Sequence, residues 1–367
     1  MHNSKIFDDL FVLEMTNNHL GNLERGINIV KEFGRVVRFN NVRAAIKLQF
    51  RDVDTFIHKD FRDRKDIRYI RRTQETQLSH DEYAILVKAI IENGCIPMAT
   101  PFDEHSVDVC CEFNMPIIKV ASADSNDWFL LEKIAKTKKP VIISVAGASL
   151  KDMDDMVKFF TNRNIPIALN HCVAAYPTQL HEMELNQINY LQNRYPDLPI
   201  GLSTHESNDK DDYLLSMYAA VAKGVKLFER HIDINSDGLT ISPYSFLPQQ
   251  VDNWFKAFNT AKEICGVSAE SRKMPMKKEI DFLDNYIRGV YAKKDLPEGH
   301  VVTYDRLNED FYLAFPLQKG QLSCRELMNG EKLLQDITKD EPIKIDHIDG
   351  PYSQIEELKQ VIYQRGL

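Results

Sequence analysis

The chain is poor in the residues that build several protein classes. With 15 glycines and 15 prolines in 367 residues, it is neither collagen-like nor of low complexity. Six cysteines, at 95, 110, 111, 172, 265 and 324, are too few for a disulfide scaffold, and none falls in a CxxC pair. No apolar run approaches the roughly 20 residues needed to span a bilayer, so no membrane partner is expected. The opening MHNSKIFDDLF has acidic residues where a secretion signal would keep an unbroken apolar stretch. Positive charge is also short: Lys+Arg 46 against Asp+Glu 54 leaves a net charge of −8. That balance argues against a nucleic-acid partner, which would demand a basic face to displace counterions. The few glycines lack the spacing of a P-loop or a dinucleotide fingerprint, and no internal repeat is visible. What is present is 43% apolar residues, enough for a sizeable core, in a chain long enough for about two domains. A soluble cytoplasmic globular protein is the expectation.

Short β-branched runs alternate with amphipathic stretches along the first 260 or so residues. Strands are predicted at 11–14, 44–49, 97–100, 117–122, 141–144, 167–171, 200–203 and 225–231. Several are apolar almost throughout, as strands buried on both faces are. Helical spacing fills 23–38, 80–92, 106–114, 128–136 and 150–163. Such alternation builds right-handed βαβ units on a parallel sheet, and eight strands match a (β/α)8 TIM barrel. An open doubly wound sheet could hold the same elements. After residue 262 the pattern changes, giving four predicted regions. They are a barrel over 1–270, a charged linker over 271–286, a small β-rich domain over 287–345 and a helical tail over 346–367.

The strand ends favour the barrel. In order they carry Glu14, Lys47 with Gln49, Thr100, Lys119 with Ser122, Ser144, His171, Ser203 with His205, and Glu229 with His231. A barrel gathers all of these around one mouth, where an open sheet would spread them along a line. Two buried lysines among hydroxyls could surround a phosphate or carboxylate; the alternative is that each is neutralised by Glu14 or Glu229 inside the barrel, and two such lysines on different strands favour the anionic ligand over two separate bridges. His205 and His231 end neighbouring strands and form half of a first-row divalent metal site, although a lone strand-end histidine is ordinarily a hydrogen-bonded structural residue. Glu229 shares the face of His231 and could orient an imidazole or shuttle a proton. The adjacent His171 and Cys172 point to opposite faces of a strand, which disfavours a Cys–His nucleophile. Cys110 and Cys111 read as helix packing.

These residues lie in segments that resemble the sialic acid synthase family, the bacterial N-acetylneuraminate synthases and their relatives. LEMTNNHLGN is similar to that family's E-I-G-x-N-H-x-G, AIKLQF to V-K-x-Q, ATPFDEHSVD to S-T-P-F-D-x-x-S-V-D, and KVASAD to K-I-x-S-x-D/E. NHCVAAYPT resembles L-H-C-x-x-x-Y-P-T, GLSTHE resembles G-Y-S-D-H-T, and ERHID resembles E-K-H-F-T. Residues 288–345 are more loosely similar to the antifreeze-like (SAF) domain of these synthases. The resemblance implies condensation of phosphoenolpyruvate with the open-chain aldehyde of an N-acetylated amino sugar. It implies that Lys47, Thr100, Ser122, Ser144 and Ser203 hold the phosphate and Lys119 the carboxylate of phosphoenolpyruvate. By the same comparison, His205 and His231 bind a divalent metal, Mn2+ or Mg2+. Glu14, Asp124 and Glu229 would be the acid/base and water-positioning carboxylates, Gln49 and Tyr176 would face the acceptor sugar, and a domain-swapped homodimer is implied.

The departures fall on the acceptor side. The family's G-P-D-H-x-x-S is replaced by DGLTISPYSF, the asparagine after its H-C by VAA (173–175), and its K-R-P by AFP (314–316). Donor chemistry is therefore expected to be retained with an altered sugar, for surface polysaccharide synthesis. Two rivals remain at this stage: a metal-dependent aldolase or hydrolase on the same barrel, and a catalytically silent sugar-binding or assembly protein.

Overall fold

The computed structural model describes residues 4–266 and 271–367. It separates into two compact units, Met1–Val267 and Ser268–Leu367. The first unit is a closed barrel of eight parallel strands in sequence order. They are β1 (Leu10–Glu14), β2 (Arg43–Phe50), β3 (Ile96–Pro101), β4 (Ile118–Val120), β5 (Val141–Ser144), β6 (Ile167–Cys172), β7 (Ile200–Thr204) and β8 (Leu227–His231). The predicted (β/α)8 TIM barrel is thus the fold, and the open sheet is excluded because β1 pairs with β8 in register from Leu10↔Leu227 to Glu14↔His231.

Side chains alternate across each strand, so every second residue points into the barrel. Outward positions pack against the surrounding helices in one large core that includes Phe11, Ile46, Ile143, Leu202 and Phe228. Inward positions divide by height. The lower storey is apolar: Leu10, Val12, Ala45, Met98, Ile142, Ala168 and Leu227, closed below by Phe7. Burying a large apolar side chain contributes about 1.5–3 kcal/mol, so this plug stabilises the barrel and leaves no channel through it. The upper storey holds the polar strand ends.

Local signals fix the helices. Asn22 caps Leu23–Asn40 by accepting from Arg25 N, and Ser79 with Glu82 and Ser149 with Asp152 form capping boxes at His80–Glu92 and Leu150–Thr161. Two expected boundaries shift. Strand β4 stops at Val120, because Ser122–Asp124 forms a 3-10 turn instead of extending the strand. Residues 271–276 precede the linker helix, which covers only Lys277–Asp284.

The second unit pairs Gly289–Ala292 with Phe311–Ala314 and Lys332–Leu333 with Ile348–Asp349, both antiparallel. The tail predicted as a separate piece from 346 shares this unit's core: Ile348 and Ile362 are buried with Val290, Leu322 and Ile343. Helical apolar spacing in the tail was legible, but its partner surface was not. Residues 267–270, at the predicted barrel–linker boundary, lie outside the described residues.

Candidate active site

Strand pairing sets the site residues side by side. Glu14 is in register with Lys47 on one side and His231 on the other, Gln49 with Thr100, Ser144 with Asn170, and Ser203 with both Cys172 and Glu229. Glu14, Lys47, Thr100, Lys119, Ser144, Ser203, His205 and Glu229 are all buried at the upper end of the barrel.

The two lysines differ. Lys47 Nζ lies 2.8 Å from Glu229 Oε1 and 2.5 Å from Glu14 Oε2, an ion contact in the second case without hydrogen-bond alignment. The internal ion pair weighed for Lys47 is therefore present. Burial pulls its ammonium down to about 8, against the upward pull of Glu229. Lys119 Nζ instead donates to Ser144 Oγ at 2.6 Å and to Val120 O at 2.9 Å. No carboxylate reaches ion-pair distance of it among the described residues. A buried ammonium satisfied only by neutral oxygens is the stronger anion hook of the two. Burial pushes the Glu229 carboxyl up, but Lys119 and Lys47 outweigh that and hold it below the usual carboxylate range.

His205 and His231 face one another with ring centroids 5.0 Å apart. The Nδ1 of His205 sits 3.0 Å from Val173 O, an acceptor that fixes the proton on Nδ1 and leaves the Nε2 lone pair free. His231 Nδ1 is buried with no partner. Burial draws His205 down to about 4 and His231 well below its usual value, so both imidazoles are neutral at physiological pH. A neutral pair with an orphaned buried nitrogen fits a divalent cation. Among the described residues, however, no group of three or more His, Cys, Asp and Glu is placed to hold one.

The remaining predicted residues are distributed around this centre. Ser122 Oγ accepts from Ala146 N at 3.1 Å and so ties the β4 and β5 loops together. Asp124 follows in the same turn, away from the Glu14–Lys47–Glu229 triad, with Oδ2 buried and unpartnered. Burial and Asp127 push its pKa up to about 6 despite Arg51 and Lys119. Gln49 Nε2 donates to Glu14 Oε1 at 3.2 Å. Tyr176 is half exposed, its ring 4.4 Å from that of His205. His171 turns out of the barrel onto Met183 O, as strand parity requires.

Three residues escaped the sequence reading. Asn170 points inward and donates to Glu229 Oε2 at 3.3 Å; its even spacing with Ala168 and Cys172 was the available signal. Tyr244 places its ring 5.2 Å from that of His231 and 5.1 Å from that of Tyr176, within the stretch that departs from the family pattern. Arg51 continues the inward parity of Lys47 and Gln49 past the end of β2.

The model of the NeuB family matches residues 41–270, more than half of the chain. The chain belongs to the NeuB family. Named members of the family are similar to it over most of its length. Human N-acetylneuraminate-9-phosphate synthase is 28% identical over 301 residues, which is 81% of either chain. The spore coat polysaccharide biosynthesis protein SpsE of Bacillus subtilis is 27% identical, over 84% of this chain and 87% of that one. A solved structure described as spore coat polysaccharide biosynthesis protein E from Chromobacterium violaceum superposes with a TM-score of 0.87. It is 35% identical, covering 93% of this chain and 99% of that one. No helix among the described residues is long and apolar enough to cross a membrane.

Proposed function

We propose that this NeuB-family protein condenses phosphoenolpyruvate with the aldehyde of an N-acetylated amino sugar, giving a sialic-acid-like keto sugar acid and phosphate for surface polysaccharide. The observation that carries this reading is Lys119. It is a buried ammonium bound to Ser144, with no carboxylate at ion-pair distance among the described residues, in the same barrel mouth as two adjacent neutral imidazoles.

In the reaction, C3 of phosphoenolpyruvate bonds to the aldehyde carbon, whose oxygen takes up a proton. Water adds at C2, and the C2–O bond to phosphate breaks as the keto group forms. Lys119 and Ser144 hold the doubly anionic donor, with Thr100, Ser122 and Ser203 nearby as hydroxyl donors. Lys119 and Lys47 hold Glu229 ionised, so it can accept a proton from the attacking water, and Glu14 lies against the same Lys47 ammonium. Gln49, held by Glu14, and Tyr176, beside His205, face the acceptor. His205 and His231 would hold a divalent cation, Mn2+ or Mg2+, which when bound polarises a carbonyl oxygen as a Lewis acid.

Incubation with phosphoenolpyruvate, Mn2+ and a panel of amino sugars tests this. Phosphate release that needs both donor and an aldehyde acceptor is expected; silence across a broad panel from folded protein overturns it. A catalytically silent sugar-binding role is favoured by the acceptor-side departures and by the internal neutralisation of Lys47, and phosphoenolpyruvate binding without turnover would support it.

A further inference from the structure

The alternation that turns Glu229 and His231 into the barrel turns the residue between them out of it. That residue is Arg230, in register with Thr204 of β7, and its guanidinium is buried. Its Nη2 donates to Thr204 Oγ1 and to Glu206 Oε2, both at 2.7 Å. Thr204 and Glu206 are the chain neighbours of His205 on either side. The ion pair therefore stands directly behind the two imidazoles, joining the residues that flank one to the residue that precedes the other.

The guanidinium also lies over Phe246, its Cζ 4.1 Å from the ring centroid, with Trp254 at 5.5 Å. Phe246 is fastened to the end of β8 by backbone: its N–H donates to His231 O at 2.8 Å, and its carbonyl accepts from Asp233 N at 3.0 Å. Two residues before it stands Tyr244, whose ring is 5.2 Å from that of His231. One side chain thus ties together the end of β7, β8 and the loop that delivers Tyr244.

Stability does not account for this arrangement. Arg230 Nε and Nη1 are buried without a partner among the described residues. Burying an incompletely satisfied cation is costly, and buried ion pairs are commonly replaceable by apolar residues of similar volume with no loss of stability. What the pair supplies is direction. Two charge-assisted hydrogen bonds from one planar group fix the end of β7 against β8 more narrowly than apolar packing does.

We infer that Arg230, through Glu206 and Thr204, is a positioning residue for the imidazole pair. It sets the separation of His205 and His231 and the approach of Tyr244 to them, and acts only through these neighbours. This rests on the metal-binding role given to the two histidines in the condensation reading.

The test replaces both partners, because removing one would leave an unpaired buried charge. Arg230→Met combined with Glu206→Met keeps roughly the same volume, and circular dichroism melting should show a fold as stable as the wild type. Chelator-stripped protein titrated with Mn2+ by calorimetry should then bind at least about tenfold more weakly than the wild type. Phosphoenolpyruvate affinity, measured without metal, should stay within about twofold, since Lys119 and Ser144 lie on other strands. Arg230→Lys keeps the charge but not the planar fork, and its Mn2+ affinity should fall between the two. Wild-type Mn2+ affinity in the folded double variant, or an equal loss of both affinities, overturns the positioning role. Should the double variant not fold, Arg230→Lys decides: a selective loss of Mn2+ affinity supports the role and wild-type affinity overturns it. A wild type that binds no Mn2+ removes the metal reading of the histidines separately. Crystal structures of wild type and variant then decide the positioning role: ring centroids shifted from their 5.0 Å separation support it, and an unmoved pair overturns it.

Discussion

Asn170 reaches across the bare backbone of Gly201 to donate its Nδ2 to Glu229 Oε2 at 3.3 Å. The strand between them, β7, has no side chain at this point, and that vacancy makes the contact possible. A Cβ on residue 201 would stand 2.2 Å from Asn170 Oδ1 and 2.8 Å from Leu227 Cγ. The Glu229 carboxylate is therefore held from two sides, by Lys47 and by Asn170.

Gly201→Ala should displace Asn170 and cost about 1–3 kcal/mol, the usual price of overpacking a filled interior, read as a lower urea midpoint. Asn170→Leu keeps the branched shape, with somewhat more bulk, but removes the donor. It should lower kcat by about tenfold with a smaller change in the phosphoenolpyruvate KM, since Glu229 would lose its orientation more than the donor would lose its hook. Wild-type kcat and stability in both variants would show that this contact is incidental.

Asp124 gives a pH dependence with a definite sign. Its folded pKa is raised to about 6 by burial and Asp127, above the ordinary 3.8. The folded state therefore binds this proton more tightly than the unfolded chain, and the Asp124 contribution to stability falls as pH rises from about 4 to about 6, while the buried histidines with lowered pKa act in the opposite sense. Asp124→Asn should remove that decline and raise stability at pH 7 by on the order of 1–2 kcal/mol. Urea midpoints at pH 4.5 and 7 in both proteins check it. A stability difference between wild type and Asp124→Asn that is the same at pH 4.5 and pH 7 would place the Asp124 carboxyl in water.

Metal removal tests the imidazole pair without relying on turnover. Chelator-stripped protein titrated with Mn2+ by calorimetry should bind one ion, and His205→Ala and His231→Ala should each weaken it by about a hundredfold, since each would take away one of the two proposed ligands. Retention of wild-type affinity in either variant would exclude that histidine as a ligand.

The barrel was legible because its strands are short, apolar on both faces and regularly spaced, and because polar residues recur at their ends. The inward set, Glu14, Lys47, Thr100, Lys119, Ser144, Ser203 and Glu229, follows from period-two alternation. Which cation meets which carboxylate does not follow from it. Lys47 and Lys119 look alike in AAIKLQ and PIIKVAS, and only the closure of β1 onto β8 brings Glu229 to Lys47. Tyr244 was hidden for another reason: it belongs to an irregular loop after β8, where no periodicity announces which side chain turns toward the imidazoles. Asn170 was passed over because an amide among apolar neighbours reads as strand filler until Gly201 is seen opposite it.

The unequal lysines should separate stability from donor binding. Lys47→Met leaves Glu14 and Glu229 buried side by side without their shared cation, and removing one partner of a buried ion pair costs about 3–5 kcal/mol. Lys119→Met removes an ammonium that no carboxylate contacts, so its desolvation cost disappears together with its hydrogen bonds to Ser144 and Val120, and stability should change by less than about 1 kcal/mol. Phosphoenolpyruvate affinity should follow the opposite order. Calorimetry should show the larger loss, at least about a hundredfold, in Lys119→Met, because among the described residues no carboxylate reaches ion-pair distance of that ammonium, whereas Lys47 is in contact with two. A Lys119→Met protein that melts well below Lys47→Met and still binds phosphoenolpyruvate normally would reverse the roles, making the Glu14–Glu229 pair a dispensable clamp and Lys119 a structural strut.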